Sequence, residues 1–123
     1  MIVGVGLDLC EVSRVAALLD RWGERFAAKI FTPAERAYCR GRAQPAQHFA
    51  ARFAAREAAL KALSVPSGLQ WHELEVLSTP GKGPELRLSG GAAIAAARLG
   101  VTRVHLTLSH AADVAAAVVV LEA

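Results

Sequence analysis

The chain has 123 residues, of which 54% are hydrophobic and 20% are charged, a balance that fits one globular domain and excludes a disordered chain. No apolar run reaches the roughly 18 residues of a membrane helix, and the first residues lack the basic segment of a signal peptide, so we expect neither. The formal net charge is +3, and residues 1–63 hold ten Lys and Arg against six Asp and Glu, an excess that predicts an acidic or anionic partner.

The chain begins with a predicted strand and a predicted helix. The apolar, β-branched segment 1–9 is typical of a buried strand, although Gly4 and Gly6 lie inside it. Apolar side chains at helical spacing then predict a first helix over 13–28. These side chains are Val15, Leu18, Leu19, Trp22 and Phe26.

Two more helices are predicted before the middle of the chain. Thr32-Pro33-Ala34-Glu35 has the pattern of a capping box with proline at the first helical position, so a second helix begins there and ends near Gly41. The segment 44–63 is rich in Ala, Arg and Leu and predicts a third helix, which Pro66 and Gly68 terminate.

The second half of the chain predicts four strands and one short helix. The strands are placed at 71–77, 85–88, 101–108 and 114–121. Residues 79–84 form the turn between the first two strands, and 109–113 form the turn between the last two. The helix 92–99 ends at Gly100. The prediction is a single α+β domain over 1–123, with helices packed on a small antiparallel sheet.

Cys10 and Cys39 are the two cysteines of the chain. They form no CxxC pair and no cysteine framework, so we interpret them as reduced thiols of a cytosolic protein. A structural disulfide between them is the alternative.

Asp8 stands at the end of the first predicted strand, directly after Gly6 and Leu7. A carboxylate at a strand end beside glycine is well placed to bind a ligand. The alternative is a turn or helix-capping aspartate, since aspartate caps helices readily.

Glu57 lies at the edge of the apolar stripe of the third predicted helix, which Phe49, Phe53 and Leu60 form. A carboxylate beside a buried face must be paired, protonated or bound to a metal. One interpretation is a surface pair with Lys61 at i+4. In the other, Glu57 and Asp8 are metal ligands and Lys61 contacts a phosphate. Two carboxylates without a nearby His or Cys ligand suit Mg²⁺.

The same helix carries a basic face of Arg52, Arg56 and Lys61 near Glu57. Phosphate groups would satisfy these charges, and a solvated face is the alternative. On the first helix, Arg14, Arg21 and Arg25 fall within about 40° of one another on a helical wheel. This arginine ridge predicts docking of an acidic helix, although an ordinary solubilising face would look the same.

Ser109 and His110 follow the third strand of the second half, with His105 earlier on that strand. They do not form a catalytic dyad, because neighbours in an extended chain point to opposite sides. Contact with an anion or a purine is favoured over nucleophilic catalysis, and a turn-stabilising histidine is the alternative.

Five segments, taken together and in this order, resemble the motifs of one enzyme family. They are 4–8 with Arg14, 31–35, 52–62, Gly83-Pro84 with Leu86, and 105–110 with 115–122. Over nearly the whole chain they are similar to the holo-acyl-carrier-protein synthases, the short bacterial members of the 4′-phosphopantetheinyl transferase superfamily. Arg56 stands where the family usually has lysine, and Thr107 where it often has serine; neither change removes a predicted metal ligand.

The resemblance implies a reaction and its partners. Coenzyme A would donate its phosphopantetheine group to a serine of an apo acyl carrier protein, of fatty-acid or polyketide synthesis, leaving adenosine 3′,5′-bisphosphate. Mg²⁺ is the implied cofactor, and family members are typically homotrimers with active sites between subunits. Because carrier proteins are acidic, the arginine ridge would have a partner. We expect a cytoplasmic enzyme with no nucleic-acid or membrane partner.

Residue roles follow from the same resemblance. Asp8 and Glu57 would hold Mg²⁺ against the pyrophosphate, and Lys61 would stabilise charge on the leaving phosphate. The residues implied to contact coenzyme A are Arg52, Lys61, Gly83, Pro84, Ser109 and His110. The general base stays open between Glu57, acting through a metal-bound water, and direct proton removal by Lys61, which would need a depressed pKa.

Three other functions fit parts of the sequence. A coenzyme A or nucleotide-binding module without catalysis is opposed by the presence of Asp8, Glu57 and Lys61. Nucleic-acid binding is opposed by the modest charge and by an aromatic content of 6%. A metal-dependent nucleotide hydrolase would cleave its substrate without any carrier protein.

Overall fold

Eleven elements follow one another along the computed structural model, which describes residues 1–65 and 67–123. In chain order they are β1 (Ile2–Glu11), α1 (Val12–Trp22), α2 (Glu24–Ile30), α3 (Pro33–Arg40), α4 (Pro45–Leu63), a 3₁₀ turn (Trp71–Glu73), β2 (Leu74–Leu77), β3 (Glu85–Leu88), α5 (Gly90–Arg98), β4 (Arg103–Ala111) and β5 (Val114–Glu122). The predicted helix terminator Pro66 lies outside the described residues. None of the described helices is long and apolar enough to cross a membrane.

The strands form two antiparallel sheets, which confirms the predicted α+β fold. A three-stranded sheet has the order β1-β5-β4, and a separate two-stranded sheet pairs β2 with β3. α4 packs against β1 and β5 of the larger sheet and also contacts α1, α3, β2 and α5. The two halves of the chain therefore share one hydrophobic core, centred on α4.

α4 is buried on most of its circumference, and its many alanines make this close packing possible. Seven alanines of this helix are buried: Ala50, Ala51, Ala54, Ala55, Ala58, Ala59 and Ala62. Alanine has the highest helix propensity, and its single methyl group lets neighbouring elements approach the helix axis closely. A helix that is apolar nearly all round belongs in the middle of a core, and α4 occupies that position.

Gly4 and Gly6 in β1 allow this close approach. A Cβ added at Gly6 would lie 1.8 Å from the carbonyl oxygen of Ala58, and one added at Gly4 would lie 2.1 Å from that of Ala62. Two strand residues rise about 6.6 Å and four helical residues about 6 Å, so strand and helix stay in step. The glycines therefore serve helix–strand packing, and the next inward residue of β1 is Asp8.

The first predicted helix is wrong as a single element, because Gly23 divides it. Gly23 has φ +54° and ψ −132°, so α1 ends there and α2 starts in a new direction. The left-handed φ favours glycine, which has no Cβ to clash. As a result Trp22, predicted to belong to the apolar stripe, is 47% exposed.

Two strand predictions also needed correction. Residues Trp71–Glu73 form the 3₁₀ turn and not the start of a strand, because Gln70 and Glu73 make a capping box around it. β4 ends at Ala111 and β5 begins at Val114, so the turn between them is shorter than the predicted 109–113.

Helix termini were predicted where the cap is local and missed where it is distant. The capping box of Thr32 and Glu35 at the start of α3 is confirmed. The start of α1, by contrast, is capped by Asp113: its carboxylate accepts hydrogen bonds from the backbone N–H of Ser13, at 3.0 Å, and from the Ser13 hydroxyl, at 2.5 Å. Asp113 thus ties the β4–β5 turn to the helix that carries Arg14.

Cys39 is expected to resist alkylation in the folded protein. Both cysteines are free and buried, which confirms the predicted reduced thiols. Burial disfavours the thiolate and raises the pKa of Cys39 from 9.0 to about 11, so at pH 8 its thiolate fraction is about a hundredfold lower than that of an ordinary thiol. Mass spectrometry after iodoacetamide treatment should show Cys39 modified in guanidinium but not in buffer; fast labelling in buffer would contradict this packing.

Candidate active site

Asp8 and Glu57, which the sequence pattern predicted to be two ligands of one cation, line the same groove. β1 presents Asp8 on the face that packs against α4, and α4 presents Glu57 beside it. The groove has a volume of about 540 Å³. It is lined by Asp8, Leu9, Cys10, Glu11, Arg14, Phe53, Glu57 and Val114.

Lys61 pairs with Asp8 and not with Glu57. Lys61 Nζ donates to the carbonyl oxygen of Leu7 at 2.8 Å and to Asp8 Oδ1 at 3.2 Å. Partial burial and the negative charge of Asp8 raise the pKa of Glu57, and the positive charge of Lys61 opposes them. The alternative of a plain Glu57–Lys61 surface pair is therefore wrong: Glu57 faces a second carboxylate.

The donor set of this groove fits Mg²⁺. Asp8 and Glu57 supply hard carboxylate oxygens. Burial and, after it, the charge of Asp8 raise the pKa of Glu57, and a divalent cation between the two carboxylates would relieve their repulsion. Within residues 1–65 and 67–123, no three His, Cys, Asp or Glu side chains cluster as a metal cage. Two carboxylates completed by water and substrate phosphate are the usual protein environment of Mg²⁺, whereas Zn²⁺ prefers four N or S ligands.

A second cavity, of about 520 Å³, collects most of the residues predicted to contact coenzyme A. Its walls come from α3, the start of α4, the β2–β3 turn and the end of β4. The residues that line it are Tyr38, Arg42, Gln47, His48, Ala51, Arg52, Ser78, Thr79, Pro80, Gly81, Lys82, Pro84, Leu108, Ser109 and His110. Gly83 adjoins Pro84 without lining the cavity, and Lys61 lies by the Asp8 groove instead.

Arg52 is the best-fixed cation of this cavity. Its Nη2 donates to Ser78 Oγ at 2.6 Å and its Nη1 to the carbonyl oxygen of His48 at 3.2 Å, while its guanidinium lies 4.4 Å from the ring centroid of Tyr38. Arg52 is 2% exposed, and its Nε has no hydrogen-bond partner among the described residues. A buried donor without a partner is rare in folded proteins, and the two hydrogen bonds from Nη1 and Nη2 fix the Arg52 guanidinium at the cavity wall.

Several cavity residues were missed by the sequence interpretation. Arg42, His48 and Lys82 add positive charge or hydrogen-bond donors, and Tyr38 packs beneath two arginines, Arg42 at 5.3 Å and Arg52 at 4.4 Å. Burial, followed by the charges of Arg52 and Arg42, lowers the pKa of His48. A cluster of cations within 38–52 was visible in the sequence, but only the folding of α3 against α4 aims these residues at one point.

The groove and the cavity lie at the same end of the three-stranded sheet. Cys10 of the groove pairs with Ala115, which pairs with His110 of the cavity. The two sites are thus separated by two strand spacings, about 10 Å. Ser109 and His110 belong to β4 rather than to a turn. His105 does not line the cavity; its Nε2 lies 3.0 Å from Glu122 Oε1.

Comparison with known proteins identifies the family. Residues 4–119 match the model of the 4′-phosphopantetheinyl transferase superfamily. A holo-[acyl-carrier-protein] synthase of Anaeromyxobacter dehalogenans is 54% identical over 99% of this chain and 97% of its own. The crystal structure of the Neisseria meningitidis synthase has a TM-score of 0.86 at 30% identity and 100% coverage of both chains. The chain belongs to the holo-[acyl-carrier-protein] synthase family. The Helicobacter pylori synthase, solved in complex with coenzyme A, has a TM-score of 0.83 at 26% identity over 96% of this chain and 99% of that chain.

Arg56 of the synthase signature helix does not belong to the basic face proposed from the sequence. Its side chain is fully buried and paired with Glu35, with Nε and Nη1 donating to the carbonyl oxygens of Trp71 and Arg52 at 3.1 Å each. Arg56 is therefore unavailable to a phosphate. The positive charge near the site comes instead from Arg42, Arg52 and Lys82 at the cavity and from Arg14 and Lys61 at the groove.

The arginine ridge of this synthase is exposed but not continuous. Arg14 and Arg21 lie on α1, and Arg14 lines the groove of Asp8. Arg25 lies on α2, beyond the break at Gly23, so its angle on a single helical wheel has no meaning. Arg21 also lies 5.0 Å from the ring of the exposed Trp22, which gives the ridge an aromatic side chain.

Proposed function

We propose that this enzyme transfers 4′-phosphopantetheine from coenzyme A to a serine of an apo acyl carrier protein in a Mg²⁺-dependent reaction. One observation carries the proposal: a groove with two facing carboxylates and a cation-lined cavity lie about 10 Å apart at one end of the sheet. Coenzyme A is long enough to place its nucleotide in the cavity while its pyrophosphate reaches the groove. The reduced cysteines and the family suit the cytoplasm as the place of this reaction.

The cavity supplies the binding energy for the nucleotide end of coenzyme A. Arg52 supplies a fixed positive charge at the cavity wall, and Arg42 and Lys82 add charge toward the phosphate groups. Ser109 and His110 offer hydrogen bonds from β4, and the tyrosine ring of Tyr38 gives an apolar wall. The walls are pre-formed by α3 and α4, so little ordering is needed on binding.

The groove supplies the chemistry. Asp8 and Glu57 would hold Mg²⁺, which would neutralise the charge that develops on the pyrophosphate. Lys61, kept beside Asp8 by its hydrogen bonds, would stabilise the leaving oxygen. The serine Oγ of the carrier forms the new bond to phosphorus as the bond to the bridging pyrophosphate oxygen breaks, and adenosine 3′,5′-bisphosphate leaves.

The serine must also lose its proton. Glu57 is the base that we favour, acting through a bound water, because it lines the groove in which the serine would be activated. Direct transfer to Lys61 is the alternative. Arg14, on the rim of the same groove, lies where the carrier would approach.

The arginine ridge would dock the acidic carrier. Changing Arg21 and Arg25 to glutamate is expected to raise the apparent KM for the carrier by at least about tenfold and to leave the KM for coenzyme A within about twofold, because exposed charges steer association. Steady-state kinetics with each substrate varied in turn measures both. We leave Arg14 unchanged because it lines the groove. The matched control is Arg87→Glu with Arg98→Glu, the same charge change on β3 and α5; equal KM effects of both pairs would contradict the ridge.

The outer face of the three-stranded sheet supports the expected homotrimer. Val5, Leu7 and Leu9 of β1 point away from α4 and are 60%, 54% and 64% exposed, a row of apolar side chains that water does not favour. Leu9 also lines the groove, and Ser109 on the same face lines the cavity. Copies of the chain seated on this face would therefore border both sites, which supports active sites between subunits.

The decisive experiment is intact-mass spectrometry of an apo acyl carrier protein incubated with the enzyme, coenzyme A and Mg²⁺. A gain of one phosphopantetheine mass, abolished by EDTA and restored by Mg²⁺, is expected. No gain with fatty-acid and polyketide carriers alike would leave a coenzyme A-binding module without transfer. Cleavage of coenzyme A in the absence of carrier would indicate a hydrolase.

A further inference from the structure

A buried ion pair joins the helix that carries Glu57 to the strand that leads into the cavity. The side chains of Glu35 and Arg56 are both 0% exposed, and Arg56 Nη2 donates to Glu35 Oε1. Removing two charges from water costs about as much as their attraction returns, so such a pair is weak as a stabiliser of a fold. Its place in the molecule indicates what else it does.

The pair connects four elements. Glu35 on α3 accepts hydrogen bonds from the backbone N–H of Thr32 at 3.0 Å and of Val76 on β2 at 2.9 Å. Arg56 on α4 donates to the carbonyl oxygen of Trp71, in the 3₁₀ turn, at 3.1 Å. Each contact fixes the position of one element along the axis of α4.

The positions of these elements determine where the residues of the cavity wall lie. Arg52 lies one turn before Arg56 on α4, and Ser78 lies two residues after Val76 in the chain, so fixing Val76 brings Ser78 Oγ to 2.6 Å from Arg52 Nη2. Tyr38 lies three residues after Glu35 on α3, where its ring packs 4.4 Å from the Arg52 guanidinium. Both contacts that aim Arg52 thus depend on elements that Glu35 and Arg56 hold.

We propose that Glu35 and Arg56 are positioning residues for the coenzyme A cavity: they touch no substrate but determine its affinity by holding Ser78 and Tyr38 against Arg52. The inference rests on the proposed function, since it assigns the cavity to coenzyme A. It predicts a selective effect on that substrate, because the carrier ridge on α1 and α2 and the carboxylates of the groove are not among the contacts of the pair.

The double variant Glu35→Gln/Arg56→Met tests the proposal without leaving a lone buried charge. Titration calorimetry with coenzyme A should show the Kd raised about tenfold, equivalent to one charge-assisted hydrogen bond. The KM for coenzyme A should rise equally, while the KM for the carrier and kcat at saturating coenzyme A stay within about twofold. Glu24→Gln, which breaks the exposed pairs of Glu24 with Arg36 and Arg40, is the control and should bind coenzyme A normally.

The outcomes separate the possibilities. A folded double variant that binds coenzyme A like the native enzyme would overturn the proposal, as would equal losses for coenzyme A and carrier. If circular dichroism shows the double variant unfolded, Glu35→Asp keeps the carboxylate, withdraws it by one methylene from Arg56 and Val76, and must itself raise the Kd selectively. A native enzyme that fails to bind coenzyme A at all would instead overturn the proposed function, and this proposal with it.

Discussion

Asp8→Ala is expected to lower Mg²⁺-dependent transfer by about a thousandfold or more, since several kcal/mol of transition-state stabilisation pass through the metal and its ligands. Far-UV circular dichroism should not change, because Asp8 lies at the groove and its ion-pair partner among the described residues, Lys61, is exposed. Glu57→Gln, which keeps the shape and removes the charge, should have the same effect on transfer. Intact-mass kinetics over a Mg²⁺ series measures the loss.

A binding measurement separates loss of the metal from loss of catalysis. Titration of the enzyme with Mn²⁺ in the presence of adenosine 3′,5′-bisphosphate should show weaker cation binding in both variants. Asp20→Ala removes an exposed carboxylate from α1, outside the groove, and serves as the matched control. Native activity in Asp8→Ala would remove the metal assignment, and an unfolded Glu57→Gln would make Glu57 a structural residue.

Gly6→Ala is expected to have the largest effect on stability. The added Cβ would lie 1.8 Å from the carbonyl oxygen of Ala58, a backbone atom that cannot rotate away. Either β1 or α4 must move, at a cost of about 3 kcal/mol or more, the upper end for an overpacked core. For a domain of this size the Tm should fall by about 10 °C or more.

The comparison for Gly6 is Gly41→Ala at the end of α3. There the added Cβ would have only ordinary contacts, with its nearest neighbour 3.5 Å away, so the Tm should change by no more than about 3 °C. Urea or thermal unfolding followed by circular dichroism compares the two. A native-like Tm for Gly6→Ala would show that the strand and helix are not packed as closely as described.

Local patterns predicted the elements whose causes are local. The capping box of Thr32 and Glu35 started α3 where it was predicted, because the residues that satisfy its N–H groups lie within one turn. The composition of 44–63 predicted α4, since alanine-rich segments are helical in most surroundings. The start of α1 is capped by Asp113, which is distant in the chain, so no local pattern could predict that cap.

The site was predicted in part for the same reason. Asp8 and Glu57 were noticed because a carboxylate at a strand end or beside an apolar stripe is costly to bury unless it is paired, protonated or bound to a metal. Arg56 was misassigned, because a helical wheel shows which face a residue lies on but not what packs there. Tyr38, Arg42 and His48 were missed because each looks like an ordinary surface residue until α3 folds against α4.

The sequence by itself determined the fold class and the family and proposed Asp8 and Glu57 as the two carboxylates of the site, since these rest on residue types, periodicity and motifs in chain order. Tertiary structure decided the rest. It broke the first helix at Gly23, buried Arg56 against Glu35 and set the cavity about 10 Å from the groove across the sheet. The physical reason is that burial, pairing and distance belong to pairs of residues far apart in the chain, such as Cys10 and His110, whose proximity depends on strand pairing that no local segment specifies.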